Sequence, residues 1–361
     1  MKAMLLSAGV GRRMYPLTLS QPKPVIPVLG RPLAVQILHW LAGHGVDQAV
    51  LNLHHLPDAI KQLLGDGNDP GLPTVCYSFE ETILGTGGGI RNAGSALCGD
   101  GPIVVSNSDF LSDIDLASVL QVHRASECLA TLVLAPRRPG YSVVLRDADG
   151  RVLSLAGKPQ VDTSRADGEY LFTGCHVIDE EVIERIPPTG ASCIVNDVYR
   201  PLAEQGRLGS YVHEGFWWEF GSPDMYLEGC LRLLAQPKDK LNRISTDHDP
   251  IQRLSDAFAA VGPGAGFDTG VKVTGHAAIG YGSFVSEHTH IEDSVVMPEA
   301  WIGPRCRVKR SIIAQGVELP ADCETEEELI CTDPDASAEL PPQTRREAGM
   351  LLHSFATADA G

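Results

Sequence analysis

From Ile279 onward, aliphatic residues recur at every sixth position: Ile279, Val285 and Ile291, then Val296, Ile302 and Val308. A period of six is neither the 3.6 of an α-helix nor the 2 of an ordinary strand. It fits a chain wound into flat-sided coils, each coil stacking its aliphatic row on the next. Gly262, Gly280 and Gly303 stand near this row, where corners would need small residues. The spacing predicts a short left-handed parallel β-helix over 259–324. Accidental spacing in a short antiparallel sheet is the competing reading. The register breaks at Asp293–Val296 and Arg310–Ile313, as turn insertions would break it.

Residues 1–235 follow a different rule. Apolar runs at Ala3–Leu6, Ala49–Leu53, Thr74–Tyr77, Ile103–Val105 and Leu129–Leu134 alternate with stretches of helical length at Leu33–Gly43, Asp58–Leu64, Ile90–Ala96 and Leu116–Ala125. Such alternation predicts an α/β domain with helices on both faces of a mostly parallel sheet. Further strands around Ser142–Leu145, Val152–Leu155 and Leu171–Ile178 make the sheet mixed. Residues 236–258 are polar, contain Pro237 and Pro250, and read as a linker. Residues 325–361 are acidic, then rich in Pro, Ala and Ser, and read as a flexible tail.

Composition excludes several classes. No run of about 18 apolar residues is present, so no membrane span is expected. Met1–Met14 carries no long apolar segment ahead of a cleavage site, so no secretory signal is expected. The net charge is −17, which argues against nucleic acid or an anionic membrane as partner. Nine cysteines are scattered without a CxxC pair, as in a cytoplasmic protein with reduced thiols.

The segment Leu5–Pro27, LLSAGVGRRMYPLTLSQPKPVIP, concentrates the chemistry. A strand runs into Ala8-Gly9-Val10-Gly11, where glycines allow close backbone approach and leave N–H groups facing an anion. Arg12, Arg13 and Lys23 follow in a strongly acidic chain, which suggests a polyphosphate site. Met14 stands where GxGxxG needs its third glycine, and no GxxxxGK[ST] motif occurs. On glycines alone, an ordinary strand–loop turn is the simpler reading.

The whole segment closely resembles the signature of the sugar-1-phosphate nucleotidyltransferases, roughly (A)GGxGTRLxPLT…PKPxxP. The resemblance continues through Asn52-Leu53-His54-His55, Leu84–Gly89, Ser106-Asn107-Ser108-Asp109, Phe172-Thr173-Gly174 and Gly215–Pro223. It covers about 320 residues and is nearest to the mannose-1-phosphate guanylyltransferase-like group. The implied fold is a Rossmann-like nucleotidyltransferase domain with a mixed central sheet, followed by the β-helix.

The resemblance implies that a sugar 1-phosphate oxygen attacks the α-phosphorus of an NTP and expels pyrophosphate. That oxygen is already ionised, so cations and a divalent metal are needed more than a base. Arg13 is expected at the β/γ-phosphates and the leaving pyrophosphate, and Lys23 at the α-phosphate and the sugar phosphate. Arg12 replaces the family threonine and is expected to face solvent or assist. Nucleotide contacts are expected from Leu6, Ala8, Gly9, Gly11, Arg13, Gly85, Thr86 and Gly88, with the small residues letting a purine lie close to the chain. Asp109 and Glu219, the latter in place of the family aspartate, are expected to hold Mg²⁺. Asp113 and Asp115 read as helix caps. Ser142, Lys158, Gly174 and Asn196 are expected at the sugar phosphate.

Two departures stand out: Ser142 replaces a sugar-site glycine, and Gly157-Lys158-Pro159 replaces Glu-Lys-Pro. His54-His55 and His288–His290 read as loop residues, and Trp217-Trp218 as a core anchor or a sugar platform. The expected substrates are GTP with mannose 1-phosphate or a related sugar, with UTP or dTTP as the alternative base choice. A catalytically weak, nucleotide-sugar-binding regulatory paralogue is the competing class. The β-helix is expected to mediate homo-oligomer assembly, since acyl transfer would need a longer helix and a catalytic histidine.

Overall fold

The computed structural model describes residues 1–65, 67, 69–245, 249–254 and 257–355. The chain forms two compact units, residues 1–9 with 37–217 and residues 10–36 with 218–361.

In chain order the elements begin with β1 (Lys2–Leu6), β2 (Pro27–Val28), β3 (Arg31–Pro32) and α1 (Leu33–Gly43). β4 (Gln48–Leu53), α2 (Pro57–Leu64), β5 (Thr74–Phe79), α3 (Gly85–Asn92) and α4 (Gly94–Leu97) follow. Then come β6 (Ile103–Asn107), β7 (Phe110–Ser112), α5 (Leu116–Ala125), β8 (Ala130–Pro136) and β9 (Val144–Arg146). β10 (Val152–Leu155), β11 (Gly168–Ile178) and β12 (Leu208–Val212) complete the first unit's sheet.

That sheet runs β10-β9-β11-β6-β1-β4-β5, with β8 between β11 and β12. β6, β1, β4 and β5 are parallel neighbours, whereas β11 runs antiparallel to β6, β8 and β9. The mixed sheet expected from sequence is therefore present. Ala3, Met4 and Leu5 of β1 and Ile103, Val104 and Val105 of β6 are all fully buried. Burial on both faces explains why these strands read as unbroken apolar runs.

In the second unit, short parallel strands stack coil on coil. Gly266–Phe267, Phe284–Val285, Trp301–Ile302 and Glu318–Leu319 form one side. Lys272–Ile279, His290–Val296, Ile312–Ile313 and Glu328–Thr332 lie in another. Ile279, Val285, Ile291, Val296, Ile302, Val308, Ile313, Leu319 and Ile330 are all buried, so the sixfold row is the core of the β-helix. The breaks are not insertions. His290 pairs with Arg307 and Arg307 with Glu324, a repeat of 17 residues per coil. Two sides advance by six and the third by five, as from Ile291 to Val296. Asp293, Arg310 and Glu327 turn that shortened corner at positive φ.

Two expected irregular segments are structured. Within the expected linker, Lys238–Ile244 is helical and Ile251–Leu254 pairs antiparallel with Ala257–Val261. Its residues 246–248 and 255–256 lie outside the described residues. Within the expected flexible tail, Glu328–Thr332 adds another coil, and Met350–Ser354 and Thr344–Glu347 close it as an antiparallel hairpin. Cys331, Leu351 and Leu352 are buried there. Residues 356–361 of the tail lie outside the described residues. Both ends of the stack thus carry antiparallel strands, which pair edges that would otherwise template other chains.

Candidate active site

The carboxyl ends of parallel strands in an open α/β sheet are where ligands bind. In the first unit a cavity of about 220 Å³ sits at four such ends, lined by Leu6, Ala8, Gly9, Asn52, Glu80, Ile83, Gly85, Thr86 and Asn107. Leu6 ends β1, Asn107 ends β6, Asn52 is next to last in β4, and Glu80 follows β5. Five expected nucleotide residues, Leu6, Ala8, Gly9, Gly85 and Thr86, are therefore neighbours. The volume is below the roughly 300 Å³ at which small-molecule sites usually begin, so the cavity alone is too small to enclose a ligand of nucleotide size.

A buried hydrogen-bond chain fixes the cavity wall. The Ser7 amide donates to Asn52 Oδ1 (2.7 Å), and Asn52 Nδ2 donates to Glu80 Oε1 (2.7 Å). Glu80 Oε2 accepts from the Leu84 amide at 2.9 Å. One carboxylate thus ties β4 to the start of α3. Sequence reasoning missed Glu80, because its partners come from separate segments. A Cβ on Gly89 would lie 2.7 Å from Asn52 Nδ2 and 2.8 Å from Glu80 Oε1, so only glycine fits there.

The other glycines of this loop make room for protein. The Ser192 carbonyl accepts from the amides of Gly87 (2.9 Å) and Gly88 (3.3 Å). A Cβ on Gly85 would lie 2.6 Å from that carbonyl oxygen, and one on Gly87 would lie 2.7 Å from Ser192 Oγ. Gly88 is buried in α3 against Leu84 and is not among the lining residues. Of the expected nucleotide glycines in this loop, Gly85 lines the cavity and Gly88 does not. Gly11, in the second unit, takes φ +71° and accepts from Thr18 Oγ1 at 2.8 Å, which shapes the loop.

Arg12 and Arg13 lie on a 3₁₀ turn (Arg12–Met14), both exposed. Arg13 Nη2 donates to Glu219 Oε1 at 2.8 Å, with the Arg13 side chain 67% exposed and Glu219 only 15%. Two residues assigned separately to pyrophosphate and metal are thus ion-paired within the second unit. A Cβ on Gly221 would lie 2.7 Å from Glu219 Oε1 and 3.2 Å from Arg13 Nη1. Lys23 opens a 3₁₀ turn (Lys23–Val25), with Pro22 before it and Pro24 within it.

Asp109 is half-buried in the two-residue connection between β6 and β7, where Ser108 Oγ donates to the Leu6 carbonyl at 2.7 Å. Asp115 caps α5 by accepting from the Ala117 amide at 3.0 Å, as expected. Asp113 does not cap. It accepts from the Phe216 amide at 2.6 Å and pairs with His213 at 3.2 Å, tying down the 213–216 loop.

The sugar-side candidates lie on separate elements. Ser142 is exposed just before β9, and Lys158 is exposed on a tight turn after β10. Gly174 takes φ +84° at an irregularity in β11, where a Cβ would lie 2.5 Å from Asn107 Nδ2. Asn196 is exposed on a π-helical turn (Val195–Tyr199). Trp217 is a core anchor: it is 3% exposed and its indole N–H donates to the Thr173 carbonyl. Trp218 is partly buried and donates to the Met225 carbonyl. His54 bonds the Glu80 carbonyl, and His288 occupies a β-helix corner.

Known proteins give the same reading. The model for the nucleotidyl transferase family matches residues 2–236, and that for the GlmU-like C-terminal hexapeptide matches 260–337. The chain is 32% identical over 316 residues to mannose-1-phosphate guanylyltransferase of Mycobacterium tuberculosis, covering 85% of this chain and 83% of that one. It is 27% identical over 342 residues to a UTP–glucose-1-phosphate uridylyltransferase of Synechocystis, covering 87% of each. The crystal structure of HddC from Yersinia pseudotuberculosis shares the fold, with a TM-score of 0.53, 20% identity, and coverage of 64% of this chain and 98% of that one. Among the described residues no helix is long and apolar enough to cross a membrane. The strand-end cavity and the matched length agree: the chain belongs to the nucleotidyl transferase family, within its sugar-1-phosphate branch.

Proposed function

We propose that this enzyme condenses GTP with mannose 1-phosphate, or a closely related sugar 1-phosphate, to give the GDP-sugar and pyrophosphate. The observation carrying the reading is the cavity at the ends of β1, β4, β5 and β6, walled by Ala8, Gly9, Gly85 and Thr86. The similarity to the mycobacterial guanylyltransferase supports the choice of substrates. UTP with glucose 1-phosphate is the second reading, favoured by the Synechocystis relative.

The nucleophile is a phosphate oxygen that is already anionic, so the residues bind, orient and neutralise. Lys23 lowers the repulsion between the sugar phosphate and the α-phosphate. Arg13, with its guanidinium exposed, offers a planar fork to the leaving pyrophosphate. Glu219 holds that guanidinium before substrate arrives. Ser142, Lys158, Gly174 and Asn196 receive the sugar phosphate.

Asp109 and Glu219 are the carboxylates for Mg²⁺. Among the described residues no three His, Cys, Asp or Glu side chains gather as a ready-made metal site. That donor set suits Mg²⁺, which takes one or two carboxylates and completes its shell with substrate phosphates and water. When bound, the ion would offset charge developing on the phosphates. The reading places the enzyme in the cytoplasm, where its nine free thiols stay reduced, as a homo-oligomer assembled through the β-helix.

The test is pyrophosphate release with Mg²⁺ across four NTPs and a panel of sugar 1-phosphates. Release that is fastest with GTP and mannose 1-phosphate is expected. No release from any pair, alongside tight GDP-mannose binding, would replace this reading with the regulatory one.

A further inference from the structure

The chemistry above makes no use of Asp197, the neighbour of Asn196. It lies on the π-helical turn that bears Asn196, on the sugar side, yet its contacts run toward the nucleotide loop. Asp197 Oδ2 accepts from Ser192 Oγ at 2.7 Å and from the Cys193 amide at 2.9 Å. Ser192 is 4% exposed and is stitched to the start of α3. Its amide donates to the Leu84 carbonyl at 2.8 Å, and its carbonyl accepts from Gly87 and Gly88. Next to it, the Ile194 amide donates to Thr86 Oγ1 at 3.0 Å. Arg91 Nη2 adds a bond to the Gly190 carbonyl at 3.0 Å.

The first amides of a helix need acceptors from outside it. In α3 the Ser192 carbonyl supplies one for Gly87 and Gly88, so the strap 190–197 determines where Gly85 and Thr86 stand. Those two residues wall the cavity. Glycine at 85 and 87 leaves space on either side of Thr86, and Ser192 fills it. Ser192 is thus a second anchor of this wall, beside the Glu80 carboxylate that holds the Leu84 amide. Ser192 is held at its side chain and at the following amide by one carboxylate.

We infer that Asp197 is a positioning residue for the nucleotide loop, acting through Ser192 on Gly85 and Thr86. This rests on the reading that the cavity receives the nucleotide. An anionic acceptor taking two donors is about twice as strong as a neutral one, and a wall misplaced by its loss costs affinity for the base rather than for the sugar phosphate.

The experiment is equilibrium binding of Mg-GTP and, separately, of mannose 1-phosphate to the full chain, with melting temperature as a control for folding. Asp197→Ala is expected to weaken GTP binding roughly five- to tenfold, and mannose 1-phosphate binding less than twofold. Asp197→Asn keeps an acceptor oxygen and is expected within about twofold of wild type, which is rescue by the conservative variant. Ser192→Ala removes one bond and is expected to fall between the two. Unchanged GTP affinity in Asp197→Ala, or equal weakening of both ligands, overturns the inference. Ala8→Phe, which fills the cavity, separates this from the parent reading. If it leaves GTP binding intact, the nucleotide lies elsewhere and the cavity assignment fails first.

Discussion

The α/β unit and the β-helix bury their aliphatic residues by opposite rules, and their glycines follow suit. In the sheet, β1 and β6 are covered on both faces, and near the cavity several glycines are packed too closely for a side chain. There glycine is imposed by contact: a Cβ at 87, 89 or 174 would meet Ser192, Asn52 or Asn107 within 2.7 Å. In the β-helix conformational exceptions are repeated at every coil. Positive φ recurs at Gly270, His288, Arg305 and Asp322, and at Gly282, Glu299 and Gly316, so side chains are tolerated where glycine would be least strained. A left-handed residue costs about 1–2 kcal/mol, and a stack that fixes each corner from above and below can absorb it. Close contact restricts residue choice in one unit, and repeated left-handed corners do so in the other.

Variants can break that contrast, starting with the largest effect. Glu219→Gln keeps shape but removes the charge that holds Arg13 and that the proposed mechanism gives to the metal. A loss of roughly 10²-fold or more in turnover is expected, with melting temperature unchanged and Glu219→Asp active. Full activity of the Gln variant would remove Glu219 from the site. Ile302→Ala should behave inversely, because Ile302 is fully buried in the coil stack. A stability loss of about 2–5 kcal/mol is expected in chemical denaturation, with turnover per folded molecule preserved. A matching fall in turnover would show that the stack does more than support.

A smaller effect concerns His176, which is 2% exposed and stacks edge-on against Tyr199, with ring centroids 5.4 Å apart. Neither imidazole nitrogen has a hydrogen-bond partner among the described residues. Burial pushes its pKa down from 6.5 to about 3. Between those values the unfolded chain binds a proton that the folded one refuses, so stability falls as pH drops below about 6.5. From pH 6.5 to 5 this costs about 2 kcal/mol. His176→Phe should flatten that acid-side decline, read as melting temperature against pH. An unchanged slope would mean that other groups set it.

How far the sequence revealed this molecule follows from the same contrast. The strands β1, β4 and β6 were legible because double-sided burial leaves apolar runs. The β-helix row was legible because one inward position recurs. The five-residue side was misread as an insertion, since a corner such as Asp293 looks like any polar turn. The end-capping strands Ile251–Leu254 and Met350–Ser354 were missed for a related reason. Each lies outside the repeating row and is flanked by polar or proline-containing residues, so its surroundings resemble a linker or a tail. At the cavity, Ala8, Gly9, Gly85 and Thr86 are neighbours, as their motif led one to expect. Glu80 was not expected, because its role exists only once Asn52 and Leu84 reach it. Likewise, the Arg13–Glu219 pair joins residues more than 200 positions apart.

The central claim is that cations on the loop following β1, rather than a side-chain nucleophile or base, carry the chemistry. The most direct measurement is pyrophosphate release by Lys23→Ala at saturating Mg-GTP and mannose 1-phosphate, beside wild type at the same pH. Lys23 sits on a loop and contributes charge more than packing, so turnover is expected to drop by roughly 10²–10³-fold with the fold intact. A Lys23→Ala enzyme that works at the wild-type rate would contradict the account.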